Sequence, residues 1–360
     1  MKIREKANLN MIKNILLFVG LILLTFWLLF KDQDIGELIN VIKSANDLYI
    51  LLGIILMFLF YFMEAYNVRS ILKLFGEKLS ILGAIKFTFI GFFFSAITPA
   101  ASGGQPVEIY YMTKEKISGP NATMALLLQL CAFQICTIFL SIVCAIINPA
   151  IFKSGLLWLF LIGLIANGVI LSVMLICIFS KKLTHKLMNF FIKLLKLFRI
   201  KNIDAKKQKL EEGLEKYSES AIFIKSHKIE FIKSILRVLL QTIFYYSIPF
   251  CIYKSFGLNT STYFQVFTTQ AILFTTVSSL PLPGSIGVSE TVFLQLFGPI
   301  FGENLLSGAM LLNRGVTFYL FVLIGILVVI TNAIKMKNVK GEIDKAVVEM
   351  DKLDETATAN

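Results

Sequence analysis

Long apolar runs, separated by short polar stretches, dominate the chain. A helix that crosses a bilayer needs about 20 mostly apolar residues, and several of these runs approach or exceed that length. The pattern predicts an all-α, polytopic integral membrane protein. The uncharged apolar runs cover residues 14–30, 48–63, 87–107, 117–152, 154–180, 238–253, 255–289 and 315–334.

Composition supports the same class of protein. Of the 360 residues, 56% are hydrophobic and only 16% are charged, whereas soluble domains carry about 25% charged residues. A soluble enzyme, a disulfide-stapled secreted module and a disordered regulator are therefore excluded. The net charge of +12 indicates basic cytoplasmic loops and attraction to anionic lipid rather than nucleic-acid binding. The cysteines lie in apolar segments without histidines at ligand spacing, so we expect no metal site and no cofactor.

The distribution of basic residues predicts the orientation. The N-terminus, the tail and the stretch 181–230, with 13 Lys/Arg against 6 Asp/Glu, are expected to be cytoplasmic. This holds if 81–108 is a re-entrant hairpin from the cytoplasmic side and 262–298 is one from the outside. An even number of extra full crossings would satisfy the same charges. The six full spans are then expected at 14–30, 48–68, 119–148, 155–180, 236–254 and 304–334.

Two stretches contain residues that break helices inside apolar sequence, TPAASGGQPVE and LPLPGSIGVSE. Pro99 and Glu108 are nine residues apart, as are Pro281 and Glu290, at a constant offset of 182. Proline and paired glycines free backbone groups, which the membrane interior tolerates only within protein or around a wet cavity. Broken helices in two matching halves are typical of inverted-repeat secondary transporters. We therefore predict a pseudo-inverted repeat.

These breaks supply the candidate chemistry. New helices starting near Pro106 and Val288 would attract anions such as a lipid phosphate. Glu108 and Glu290 either offer negative charge to a cationic headgroup or a proton, or cap their helices. Arg314 lies about 15 Å into an apolar stretch if that stretch is helical, and we expect it to pair with a glutamate or a phosphate. No catalytic residue is assigned. The candidate substrate-binding residues are Pro99, Ser102, Gly103, Gly104, Gln105, Glu108, Pro281, Gly284, Gly287, Glu290 and Arg314.

Other polar residues within or beside the apolar runs have interpretations unrelated to transport. Glu64 fits either a charge that faces a cavity or a partner or a pair at the membrane interface with Arg69, about one turn on. Lys86 and Arg237 fit side chains that reach the headgroups. Gln129 could hold helices together or contact substrate. The segment 181–201 alternates basic and apolar residues. It fits either an amphipathic helix on the inner leaflet or a plain positive loop.

Three motifs resemble those of the lysylphosphatidylglycerol synthase transmembrane-domain family, the membrane half of the multiple peptide resistance factor proteins. They are TPAASGGQPVEIYYM (98–112), PLPGSIGVSE (281–290) and NRGVTFY (313–319), and the resemblance covers roughly residues 10–335. It implies a flippase domain that moves aminoacylated phosphatidylglycerol to the outer leaflet and so resists cationic antimicrobial peptides. The bifunctional members also carry a cytoplasmic domain that transfers lysine from lysyl-tRNA, whereas here only about 25 residues follow the last span.

We therefore expect a lipid translocase of the cell membrane that acts on aminoacylated phosphatidylglycerol or a related phospholipid, with both termini cytoplasmic. A transmembrane domain would cover 1–335, including a basic cytoplasmic loop at 181–235, and 336–360 would form a polar tail. Phospholipid is the expected partner, a separately encoded synthase is a further candidate, and direct nucleic-acid binding is not expected. Two alternatives stay open: a phosphatidylglycerol lysyltransferase, as the family name implies, and a non-lipid secondary transporter.

Overall fold

The computed structural model describes residues 35–98, 101–149, 155–179, 227–278 and 282–334, with the single residues 20, 186 and 280. Within these ranges every regular element is a helix. The first half contains α1 (Ile35–Lys43), α2 (Asp47–Leu74), α3 (Ile81–Ala96), α4 (Gly104–Lys114), α5 (Gly119–Ile147) and α6 (Leu157–Phe179).

The second half begins after the gap and ends with a long helix. It contains α7 (Lys228–Ser255), α8 (Tyr263–Ser278), a 3₁₀ turn (Pro283–Ser285), α9 (Val288–Phe301) and α10 (Glu303–Ile334). A π-helical turn, Gly315–Tyr319, interrupts α10 directly after Arg314.

Five of these helices, α2, α5, α6, α7 and α10, are long and apolar enough to cross a membrane. They coincide with five of the six predicted spans, and the sixth, 14–30, lies outside the described residues. Their outward surfaces are apolar, as at Ile165 and Leu327, which are exposed to 66% and 61%. The chain is therefore an all-α polytopic membrane protein, as predicted.

The helices between these spans are shorter. α3 and α8 each have 16 residues, or about 24 Å, less than the roughly 30 Å of a bilayer core. Each packs against the helix that follows its break, α3 against α4 and α8 against α9. This is the local shape expected of two re-entrant hairpins, whose sidedness stays a prediction.

The helices repeat along the chain. Those of the first half begin at residues 47, 81, 104 and 119, and those of the second at 228, 263, 288 and 303. The separations are therefore 181, 182, 184 and 184 residues, close to the offset between the two sequence motifs. Hence α2–α5 and α7–α10 are two copies of one four-helix unit, and α6 lies between them in the chain.

The equivalent helices α2 and α7 pack along each other in opposite directions. The amide of Asn46, before α2, donates to the carbonyl of Ser255 at the end of α7 (2.7 Å). Near the other end, Asn67 Nδ2 donates to Ser234 Oγ (2.8 Å). Antiparallel packing of equivalent helices is the arrangement that an inverted repeat produces.

A buried polar network holds this seam together. Asn67 Nδ2 donates to Gln129 Oε1 of α5 (2.5 Å), and Gln129 Nε2 donates to Gln241 Oε1 of α7 (3.0 Å). Gln241 Nε2 then donates to Glu64 Oε2 (3.1 Å). The hydrophobic effect does not drive helices together inside a bilayer, because lipid tails are as apolar as the side chains. Interhelical hydrogen bonds and close packing therefore fix the arrangement of the helices.

The contact between α6 and α8 gives a test of close packing. A Cβ atom at Gly163 would overlap the backbone at Thr275, whereas one at Gly168, on the same helix, would meet nothing within 4 Å. We expect Gly163→Ala to destabilise the protein by about 1–3 kcal/mol through overpacking. Gly168→Ala should leave stability unchanged or slightly higher, since alanine favours helix. Thermal unfolding in detergent measures both variants, and equal melting temperatures would contradict the packing.

Candidate functional site

A cavity of about 360 Å³ lies between the two repeats, and the segments that follow both helix breaks reach it. Ala101 and Gln105 line it from the first segment, and Gly284 and Ser285 line it from the second. Aromatic rings form much of the wall. Charged lining side chains come from three helices: Glu64 of α2, Glu108 of α4 and Arg314 of α10.

Glu290 does not line the cavity itself but bonds to Arg314, which does, and so connects the second break to α10. Its Oε1 accepts from Arg314 Nε (2.7 Å), and its Oε2 accepts from the Gly287 amide (2.7 Å) and from Ser289 Oγ (3.0 Å). Only 2% of the Glu290 side chain is exposed. Glu290 therefore caps α9, which begins at Val288 as predicted, and is also the glutamate partner of Arg314.

Arg314 is held from several directions at once. Besides its bond to Glu290, its Nη2 donates to the carbonyl of Gly284 (3.0 Å), and its guanidinium lies 4.4 Å from the ring centre of Phe318. Gly284 has a positive φ of 58°, and a Cβ atom there would overlap the Phe318 ring. Both the backbone angle and the space therefore favour glycine. Arg314 thus fixes the second break to the π-helical turn of α10.

The first break depends on close backbone contact instead of an ion pair. A Cβ atom at Gly104 would overlap Ser95 Oγ and the carbonyl of Gly91, so α3 and α4 touch where α4 begins. The amide of Gly103 donates to Thr98 Oγ1 (2.9 Å). Gly91 leaves space for the next carboxylate, because a Cβ atom there would lie 2.6 Å from Glu108 Oε2.

Glu108 is the repeat equivalent of Glu290, but its surroundings differ. It lies in the second turn of α4, so it does not cap the helix. It is 4% exposed, and no hydrogen bond or ion pair connects it to another residue of the described ranges. At offsets of 182 to 184 from Arg314, α5 offers Leu130, Cys131 and Ala132, none of them basic.

Glu64 does not form an interfacial pair with Arg69. It lines the cavity and is bonded to Gln241, while Arg69 Nε donates to the carbonyl of Leu79 (2.8 Å). A helical spacing on α2 could have indicated this, because Met57 and Tyr61 line the same cavity at i−7 and i−3. The signal was hidden because α2 is apolar around its whole circumference.

The charges of this site do not balance. Glu64, Glu108 and Glu290 contribute three carboxylates against the single guanidinium of Arg314, so two negative charges are uncompensated if all groups are ionised. Among the described residues, the buried oxygens Gln270 Oε1 and Asn313 Oδ1 have no hydrogen-bond partner, and both residues line the cavity. These oxygens and the uncompensated carboxylates are acceptors that a ligand's donors would reach.

The remaining predicted substrate-binding residues differ in their position relative to the cavity. Gln105 and Gly284 line the cavity; Gly103, Gly104 and Gly287 shape the backbone beside it; and Ser102 is exposed in the turn before α4. Pro99 and Pro281 lie outside the described residues, as does the basic segment 181–201. Gln129 both lines the cavity and joins helices.

Two basic residues interpreted as reaching for headgroups have protein partners. Lys86 forms an ion pair with Glu115. Arg237 lies 5.4 Å from the ring centre of Tyr66, and its Nη1 donates to Asn67 Oδ1 (3.4 Å). Neither Lys86 nor Arg237 lines the cavity, so neither offsets its negative charge locally.

Repeated units of broken helices that meet at a cavity with charged side chains define this chain as an all-α polytopic membrane protein. The chain belongs to the family described as Lysylphosphatidylglycerol synthase TM region, which it matches over residues 15–325. It is also similar to a UPF0104 membrane protein of Archaeoglobus fulgidus, with 24% identity over 323 residues that cover 88% of this chain and 96% of that protein. The resemblance noted from the three motifs is thereby confirmed.

The buried ion pair predicts a large loss of stability when it is broken on one side. Arg314→Gln leaves Glu290 buried without a cation, and we expect a cost of about 3–5 kcal/mol. Lys86→Gln, which breaks the exposed pair with Glu115, should cost less than about 1 kcal/mol. Arg314→Gln combined with Glu290→Gln should recover part of the loss, since no charge is then left alone. Thermal unfolding in detergent compares them, and equal shifts for both single variants would refute the buried pair.

Proposed function

We propose that this protein translocates membrane lipids whose headgroup carries an ammonium group, with aminoacylated phosphatidylglycerol as the leading candidate. The observation that carries the proposal is the uncompensated negative charge of a cavity lined by Glu64 and Glu108. A buried carboxylate without a cation is costly. A ligand that brings an ammonium group to the cavity supplies the missing partner.

The phosphate of such a headgroup also has a candidate partner in the cavity, Arg314. Arg314 has five N–H donors; the bonds to Glu290 and Gly284 use two of them, and a side-chain bond to Tyr319 engages a further one. Because Arg314 lines the cavity, donors remain for a lipid phosphate, while Glu290 keeps the guanidinium in position. An arginine and two carboxylates on one cavity suit a headgroup that contains both a phosphate and an amine.

The size of the cavity limits what enters it. A volume of about 360 Å³ lies at the low end of the range for small-ligand pockets, about 300–1,000 Å³. It suits a headgroup rather than a whole lipid, so the acyl chains would stay in the bilayer beside the apolar outer faces. Movement of the headgroup between the two breaks would resemble the alternating access of other inverted-repeat proteins.

Translocation in proteoliposomes tests this function. With fluorescent lysylphosphatidylglycerol and fluorescent phosphatidylglycerol, we expect the lysyl lipid to move at least about tenfold faster, because it alone makes charge-assisted bonds to the carboxylates. Glu108→Gln should remove most of that preference. Glu303→Gln, which changes an exposed carboxylate at the start of α10, is the matched control and should behave like the unmodified protein.

Each alternative outcome identifies a different activity. Equal rates for the two lipids would contradict the headgroup assignment. Gradient-driven uptake of a solute without lipid movement would indicate a non-lipid transporter. Formation of lysylphosphatidylglycerol from lysyl-tRNA by the purified chain would indicate the lysyltransferase of the family name.

A further inference from the structure

We infer that a proton occupies the Glu64–Glu108 pair whenever the cavity holds no cargo, so that an ammonium headgroup and a proton exchange at one site. This inference rests on the proposed function and adds its coupling ion. It comes from the difference between the two repeats: the same carboxylate position is paired with an arginine in one half and lacks a basic partner among the described residues in the other.

Glu108 provides the first step of the argument. It is almost completely buried, it faces the cavity, and no described residue pairs with it. Burying an ionised carboxylate without a partner costs several kcal/mol, and such groups become neutral or bind a cation instead. Glu290, at the equivalent position, avoids this cost through Arg314.

Glu64 provides the second step. Gln241 occupies its Oε2, and Glu64 lines the same cavity as Glu108. Two carboxylates that line one cavity resist ionising together, so one of them retains a proton in the absence of another cation. Helices α3, α5, α8 and α9 contribute only neutral side chains to the lining. Among the described residues, the ionisable groups that face this space are Tyr61, Glu64, Glu108, Tyr245 and Arg314, with Glu290 bonded to Arg314.

The unpaired amide oxygens explain how cargo displaces the proton. Gln270 Oε1 and Asn313 Oδ1 are buried acceptors with no partner in the part of the chain that the structure describes, and both residues line the cavity. A carboxylic acid brings one O–H donor, whereas a primary ammonium group brings three N–H donors and a positive charge. The ammonium group can therefore donate to more of the cavity's acceptors than a protonated carboxyl group can.

The exchange is a simple proton balance. When the ammonium group enters, the O–H bond of the protonated carboxyl breaks, and the proton passes to water. The resulting carboxylate pairs with the ammonium group, which keeps its own protons. When the cargo leaves, a proton from the opposite side returns to the pair. The net result is one lipid cation moved one way for one proton moved the other way.

Calorimetry on the purified full-length protein in detergent tests this exchange. Lysylphosphatidylglycerol is titrated at one pH into buffers of different ionisation enthalpy, which yields the number of protons released per lipid bound. We expect about one proton for the unmodified protein and for Glu303→Gln, and close to none for Glu108→Gln. Since the lipid binds the deprotonated pair, its affinity should weaken by up to about tenfold for each unit by which the pH is lowered.

The outcomes separate the exchange from the proposed function. Lipid binding without proton release and without pH dependence overturns the exchange, and lipid movement in proteoliposomes would then still support the translocase. Competition by Na⁺ in place of the pH dependence overturns it as well, and would identify a metal cation as the coupling ion. If Glu108→Gln does not fold, the pH dependence of lipid affinity in the unmodified protein, measured beside Glu303→Gln, still decides the exchange. No lipid binding by the unmodified protein at any pH overturns both proposals.

Discussion

Both helix breaks free polar backbone groups that lipid cannot satisfy, and much of the architecture follows from this constraint. The second break meets it with Glu290 and Arg314, which together bond the Gly287 amide and the Gly284 carbonyl. The first meets it with glycines that let α3 and α4 touch. The two hairpins then meet each other, because Ile286 packs in one apolar cluster with Phe93 and Ile97.

One four-helix plan thus provides two chemically different halves. The equivalent helices α2 and α7 pack antiparallel and are bonded near both ends, Asn46 to Ser255 and Asn67 to Ser234. The halves differ at the cavity, because a guanidinium faces it from α10 and apolar residues occupy the corresponding turn of α5. The repeated helices build a similar scaffold in both halves. Among the described residues, only the second half places a cation, Arg314, at the cavity.

Much of this could be predicted from the sequence. Long apolar runs predicted five spans, and the offset between two motifs predicted the repeat. The cost of a buried charge predicted a glutamate or a phosphate as the partner of Arg314, and Glu290 is that glutamate. The role of Glu64 stayed open because a helix that is apolar on all sides shows no preferred face in its sequence. Gln270 gave no signal and Asn313 appeared only within the motif NRGVTFY, because an amide on a membrane helix is equally suited to joining helices. Which oxygens remain without a partner depends on packing between distant elements, and no local pattern contains that.

The π-helical turn at Gly315–Tyr319 separates two tasks of α10. Residues eleven apart lie on nearly the same face of an unbroken α-helix, as Arg314 and Gly325 would without the turn. A π turn holds one additional residue, so the two faces are rotated by about 100°. Arg314 therefore faces the cavity while Gly325 packs against Phe93 of α3. If these residues formed regular α-helix with the chain length unchanged, both would lie on one side, so α10 could keep its contact with α3 or its arginine in the cavity, but not both.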